Sequence, residues 1–134
     1  MSEENLEVVR TGWKLWQRGD VSGLFDLWDT NIVWDMRNFR DWPESAYEGP
    51  DGVSRFLTEW LEVWGEIEVA VDQMLLAPDG RVVTLARQQA KGTGSGLGME
   101  MEWVQIATVR NGKVTRIANY SDRSEALEAV GLSE

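Results

Sequence analysis

The chain has 134 residues, room for one domain with a real core and too few for a second. Thirteen Lys plus Arg against twenty-three Asp plus Glu give a net charge of −10, a sign that repels phosphate backbones and argues against a nucleic-acid partner. With no Cys and no His, disulfides, thiolate or imidazole metal sites and histidine-based nucleophilic mechanisms are excluded, so proton transfer falls to a carboxylate, Lys, Tyr or water.

Leu6, Val9, Trp13 and Trp16 recur at steps of three and four within Ser2 to Arg18, the stripe of an amphipathic helix that Gly19 stops. Asp20 suits the N-cap of a second short helix reaching Trp28, with Leu24, Leu27 and Trp28 on its buried side. The β-branched and aromatic run Asn31 to Met36 reads as a first strand. Arg37 to Gly49 contains Pro43 and reads as a connector across the mouth of the structure. Pro50 opens a third helix in which Val53, Phe56, Leu57, Trp60, Leu61 and Trp64 keep helical spacing until Gly65.

From Glu66 to Gln73 the period changes from 3.6 to 2, with Ile67, Val69 and Val71 alternating against Glu66, Glu68 and Asp72. Pro78-Asp79-Gly80 turns into a strand near Arg81 to Lys91, and a Gly-rich turn over 92–98 leads to another near Met99 to Arg110. That turn lacks a Gly-Lys-Ser/Thr end and precedes a strand, so a phosphate-binding loop is rejected. Asn111-Gly112 predicts a tight hairpin into a last strand, Lys113 to Ser121. Asp122 with Glu125 forms a capping box for a final helix, closed near Gly131. Helices first and an antiparallel meander afterwards predict a single α+β domain over residues 1–134. No stretch reaches the ~18 uninterrupted apolar residues of a membrane span, and Met1 to Glu4 lacks the order of a signal peptide. A cytoplasmic protein without a membrane partner is expected.

Three stretches together resemble the SnoaL-like branch of the nuclear transport factor 2-like superfamily: Asn31-Ile32-Val33-Trp34-Asp35-Met36, Tyr47-Glu48-Gly49-Pro50-Asp51-Gly52-Val53, and Val109-Arg110-Asn111-Gly112-Lys113-Val114. The tail Tyr120-Ser121-Asp122-Arg123-Ser124-Glu125-Ala126-Leu127 completes the likeness. The resemblance implies a cone-shaped, cystatin-like fold in which a strongly bent, mostly antiparallel sheet wraps a long helix and its open end forms a pocket. Its members include polyketide cyclases, ketosteroid isomerases, epoxide hydrolases and non-catalytic binding domains, so the fold alone does not choose a function. Many are dimers through the outer sheet face, and a homodimer is expected here because no helix of so short a chain is left to cover that face.

Period 2 places Met99, Met101, Trp103, Gln105 and Ala107 on one strand face, which suits a pocket wall. Arg87 and Gln89 share a face, as do Asn119 and Ser121. Likeness to the epoxide hydrolases sets Arg87 at their arginine, with Gln89 and Asn119 where their carboxylates stand; an amide cannot take up a proton, which argues against water activation of that kind. Likeness to the ketosteroid isomerases and polyketide cyclases sets Asp35 near the general-base aspartate. The competing reading pairs Asp35 with Arg87 as a buried ion pair. Trp34 and Trp103 are expected as apolar walls, and Tyr47 and Tyr120 as hydroxyl donors or core residues. The implied activity is a cofactor-free cyclase, isomerase or lyase acting on a small apolar carbonyl compound, with Asp35 as base and Arg87 and Gln105 as polar anchors. The alternatives are a non-catalytic ligand-binding domain or a dimeric interaction module. No cofactor and no metal are expected.

Overall fold

The computed structural model describes residues 2–90 and 100–132, so the Gly-rich turn over 92–98 and Met99 lie outside the described residues. The elements in chain order are α1 (Ser2–Gln17), α2 (Val21–Leu27), β1 (Trp28–Asn38), β2 (Ala46–Glu48), α3 (Gly49–Trp64), β3 (Ile67–Leu76), β4 (Val82–Ala90), β5 (Glu100–Arg110), β6 (Lys113–Tyr120) and α4 (Arg123–Ala129). The six strands form one curved sheet in the order β2-β1-β6-β5-β4-β3. β1 and β6 run parallel and every other neighbouring pair is antiparallel. Among the described residues no helix is long and apolar enough to cross a membrane.

Local chemistry sets the element ends. Asp20 accepts from the Gly23 N–H at 2.9 Å and so caps α2. Pro50 sits in the first turn of α3 without costing a hydrogen bond, and Gly65 closes that helix at φ 75°, a left-handed angle that an L side chain resists. Asn111 and Gly112 take φ of 51° and 76°, the paired positive angles of a primed hairpin turn. Asp122 Oδ1 accepts from the Glu125 N–H at 3.1 Å, and the Leu132 N–H returns to the Leu127 carbonyl after Gly131.

Two cores occupy the two faces of the sheet. On the inner face α1 and α3 pack Val9, Trp13, Val53, Phe56 and Trp60 against inward residues of β1, β4, β5 and β6. On the outer face α4 packs Ala126, Leu127 and Val130 over Val83, Leu85, Val104 and Ile106. This corrects the expectation that no helix is left to cover the outer face. The part of that face carrying Arg87, Asp72, Gln89 and Glu100 is polar instead. β3 is bulged between Val71 and Gln73, and β6 shifts register opposite Thr108 and Val109. The first irregularity lets Val71, Met74 and Leu76 all join the inner core, where strict alternation would send Met74 and Leu76 outward.

Both long helices are fastened to the same strand by a tryptophan. Trp13 Nε1 of α1 donates to Thr84 Oγ1 at 3.2 Å, and Trp60 Nε1 of α3 donates to Gln88 Oε1 at 2.8 Å. Each bond satisfies an indole donor inside largely apolar packing. The Thr84→Val variant keeps the shape and strands the Trp13 donor, so a loss of about 1–2 kcal/mol in urea unfolding is expected. Unchanged stability would show that the indole finds a substitute acceptor.

Candidate functional site

Between α1, α2, α3 and the inner face of the sheet lies a cavity of about 100 Å³, the order of size that accepts a single aromatic ring. Six of the eight tryptophans, Trp13, Trp16, Trp28, Trp34, Trp60 and Trp103, line it. Helix α1 adds Val9 and Gly12, α3 adds Phe56, and β1 adds Met36. Among the described residues, the polar side chains on its wall are the amides Gln88, Gln105 and Asn119, apart from the tryptophan N–H groups, and no ionisable side chain lines it.

The amides are fixed by their partners. Because an indole can only donate, the bond from Trp60 assigns the Gln88 carbonyl oxygen to it and leaves the Gln88 NH₂ as the other end. Among the described residues, that Nε2 and the Nε1 of Trp34 are buried without a hydrogen-bond partner. Gln105 Nε2 donates to Asn119 Oδ1 at 3.2 Å, and Asn119 Nδ2 donates to the Asp35 backbone carbonyl at 3.5 Å. This relay ties β5, β6 and β1 together across the cavity floor. A second groove shares Trp16 and Val69 with the cavity and is bordered by Leu61, Glu66 and Glu68. There Gln17 Nε2 donates to the Val69 carbonyl, joining α1 to the edge strand.

Of the residues singled out from sequence, Trp34, Trp103, Gln105 and Asn119 line the cavity. Met101 packs half-buried against the same core without reaching the cavity wall. Arg87 and Gln89 point the other way, which corrects their expected place. Arg87 pairs with Asp72 at 2.9 Å, and Gln89 donates to Glu100 at 2.8 Å, both on the outer face. β4 is out of phase with the expectation by one residue, and Gln88 takes the inward position that sequence reasoning missed. Tyr47 is buried against Phe56, donates to Glu59 Oε1 at 2.7 Å and accepts from Trp42 Nε1. Burial and the neighbouring Glu59 push its hydroxyl up to about 12. Tyr120 packs with the outer core, away from the cavity.

Asp35 also faces outward, since Trp34 and Met36 on either side of it face the cavity. It is only 3% exposed. Its carboxylate accepts from the Arg37 N–H at 2.9 Å, from the Arg37 guanidinium at 2.8 Å, and from Arg116 at 2.6 Å. The pair expected with Arg87 is therefore corrected to Arg37 and Arg116. Desolvation pushes the Asp35 carboxyl up, but the hydrogen bonds from Arg37 and Arg116 outweigh it and hold the group at about 2. A carboxylate so held is a weak base, and it does not open on the cavity.

Known proteins share this fold. A family model described as a SnoaL-like domain matches residues 9–117. Among solved structures, Bal32a from a soil-derived mobile gene cassette is 22% identical with a TM-score of 0.76, covering 89% of each chain. TerC, co-crystallised with polyporic acid, is 21% identical with a TM-score of 0.73 over 95% of this chain and 97% of that one. A protein provisionally described as a polyketide cyclase, from Xanthomonas campestris pv. campestris, is 17% identical with a TM-score of 0.66 over 97% and 98%. No curated protein sequence matches the chain.

The Asp35 cluster gives a pH prediction. A carboxyl lowered from 3.8 to about 2 by folding stabilises the fold above about pH 4, and that contribution drains away as pH falls through 2. It is worth roughly 2 kcal/mol at pH 7, less in high salt because both arginines are partly exposed. Urea unfolding should show Asp35→Asn to be about 2–3 kcal/mol less stable than the parent at pH 7, with the gap more than halved at about pH 2.5. A gap independent of pH would mean that ionisation of Asp35 contributes nothing.

Proposed function

The chain belongs to the SnoaL-like domain family, and on that premise we propose that it binds a small, neutral, largely apolar organic molecule in the tryptophan-lined cavity. The observation that carries this reading is the cavity wall itself, which combines indoles and aliphatic side chains with three amides and, among the described residues, no charge. A pocket of that kind gains by desolvating apolar surface and would leave a charged group of the ligand unpaired. The TerC structure, with polyporic acid co-crystallised with a protein of the same fold, supports the reading of this fold as one that meets organic ligands.

Cyclase or isomerase chemistry of the cofactor-free kind is the enzymatic form of the proposal, and the structural neighbour described as a polyketide cyclase supports it at the level of fold. With Asp35 tied to two arginines on the outer face, such turnover would take its base from the ligand or from water. Binding without chemistry is accordingly the function the geometry supports best.

Filling the cavity tests this directly. Ala107 lines it from β5, and Ala107→Phe should abolish binding of the single-ring probe toluene, read by isothermal titration calorimetry, at a stability cost of about 1–3 kcal/mol. Asp35→Asn should leave that affinity within about twofold. Full binding by a folded Ala107→Phe variant would place the ligand elsewhere, and loss of binding in a folded Asp35→Asn variant would return Asp35 to the site.

A further inference from the structure

Among the described residues, every side chain on the cavity wall comes from a helix or a strand except that of Phe39. Phe39 opens an irregular segment, residues 39–45, that joins β1 to β2. The base of this segment is fixed to the sheet. The Met36 N–H donates to the Ser45 carbonyl at 2.8 Å, the Phe39 N–H to the Met36 carbonyl at 3.0 Å, and the Arg40 N–H to Ser121 Oγ at 3.0 Å. Beyond the base the chain turns at Asp41, whose φ of 67° is left-handed. Phe39 and Trp42, on either side of that turn, both rest on Trp60, at ring distances of 5.6 and 5.3 Å. Trp42 also meets Phe56 at 5.4 Å. Phe56 and Trp60 line the cavity, so the segment covers it on the α3 side.

Two polar contacts fasten the far part of the segment to the body of the fold. Trp42 Nε1 donates to the Tyr47 hydroxyl at 3.0 Å, and Arg55 grips Glu44 through both of its terminal nitrogens, at 2.6 and 3.1 Å. The receiving residues are fixed in turn. Tyr47 is buried and donates to Glu59, while Arg55 pairs with Glu59 at 3.0 Å and stands 4.6 Å over the Tyr47 ring. The ion pair that reaches the segment is weaker in kind, because the Glu44 and Arg55 side chains are 42% and 51% exposed. Water and salt compete for a pair so placed, and breaking it shifts an equilibrium by about fivefold at most. A cover with a fixed base, an apolar underside and a half-exposed ionic fastening lifts at far less cost than any helix or strand of the wall. Resting on the reading of the cavity as a ligand site, we propose that residues 39–45 are the gate by which an apolar guest enters and leaves, and that Arg55 latches it through Glu44. Lifting the segment carries Trp42 off Phe56 and Trp60 and frees Phe39 to turn from the wall. The latch lies outside the cavity lining, so it governs the rate of exchange and leaves affinity alone.

Fluorobenzene, a single ring whose exchange is read by fluorine NMR, tests this. Glu44→Gln breaks the latch from the segment's side without touching the cavity wall. Association and dissociation rates of fluorobenzene should both rise about three- to fivefold, with the affinity held within about twofold. In the parent, about 0.3 M NaCl should speed exchange in the same way, and Glu44→Gln should be nearly indifferent to it. Rates that respond to neither the substitution nor salt overturn the proposal. Gln17→Met, which loses the bond to the Val69 carbonyl beside Trp16, should leave the rates unchanged. Faster exchange there and not in Glu44→Gln would route the guest between α1 and β3 and overturn it equally. The segment is also read without a guest, since the Trp42 Nε1–H should exchange its hydrogen about three- to fivefold faster in Glu44→Gln while the Trp60 Nε1–H is unaffected. Equal Trp42 rates would remove the latch. Failure of fluorobenzene to bind the folded parent would sink the ligand-site reading and the gate with it; a Trp42 N–H that still responds to Glu44→Gln would show that the guest, and not the moving segment, was the error.

Discussion

An indole buried in apolar surroundings must place its single N–H, and in this chain that requirement fixes where the helices go. β4 offers two inward acceptors four residues apart, Thr84 and Gln88, and each receives the tryptophan of a different helix. The helices are therefore located relative to one strand rather than merely pressed on the sheet. Between them, side chains as wide and stiff as tryptophan cannot collapse to fill all the space, and the residue of that poor fit is the cavity. The same packing that stabilises the inner core thus shapes the site.

Charge is sorted by the sheet. Ion pairs such as Asp35 with Arg37 and Arg116, and Arg87 with Asp72, lie on its outer face, while Arg55 bridges Glu44 and Glu59 at the edge of α3. The cavity on the inner side presents amides and indoles as its polar groups among the described residues. In such a low-dielectric interior a hydrogen bond discriminates between ligands more sharply than in water, so neutral groups suffice for recognition without the cost of burying ions.

The fold was legible because its signals are local and mutually consistent. The spacing of Val53, Phe56 and Trp60, the Asn111-Gly112 turn and the Asp122 to Glu125 box each state a structure within a few residues. The site was less legible for a reason that period 2 itself explains. If Trp34 faces the cavity, Asp35 cannot, yet the family likeness placed both there. On β4 the run Val82 to Leu85 is apolar on both faces apart from Thr84, since each meets a core, so hydrophobicity could not set the phase. The charge of Arg87 was the available clue that its face was the outer one. Bulges in β3 and β6 shift the alternation where no sequence signal announces it. The true partner of Asp35 stood two residues away in Arg37, on the same face by strand geometry alone.

Space inside a fold has a thermodynamic signature apart from any ligand. If dry, a cavity of about 100 Å³ would amount to roughly 60 mL per mole, within the range of volume changes by which hydrostatic pressure unfolds proteins. Its walls are aromatic planes that do not pivot inward easily, so compression cannot close it by small adjustments, and the volume is recovered chiefly by opening the core. A dry cavity would thus make the molecule soft to pressure along the same coordinate on which a guest would harden it. Compression and occupancy act on this protein as opposing variables, with the tryptophan shell as the surface on which they compete.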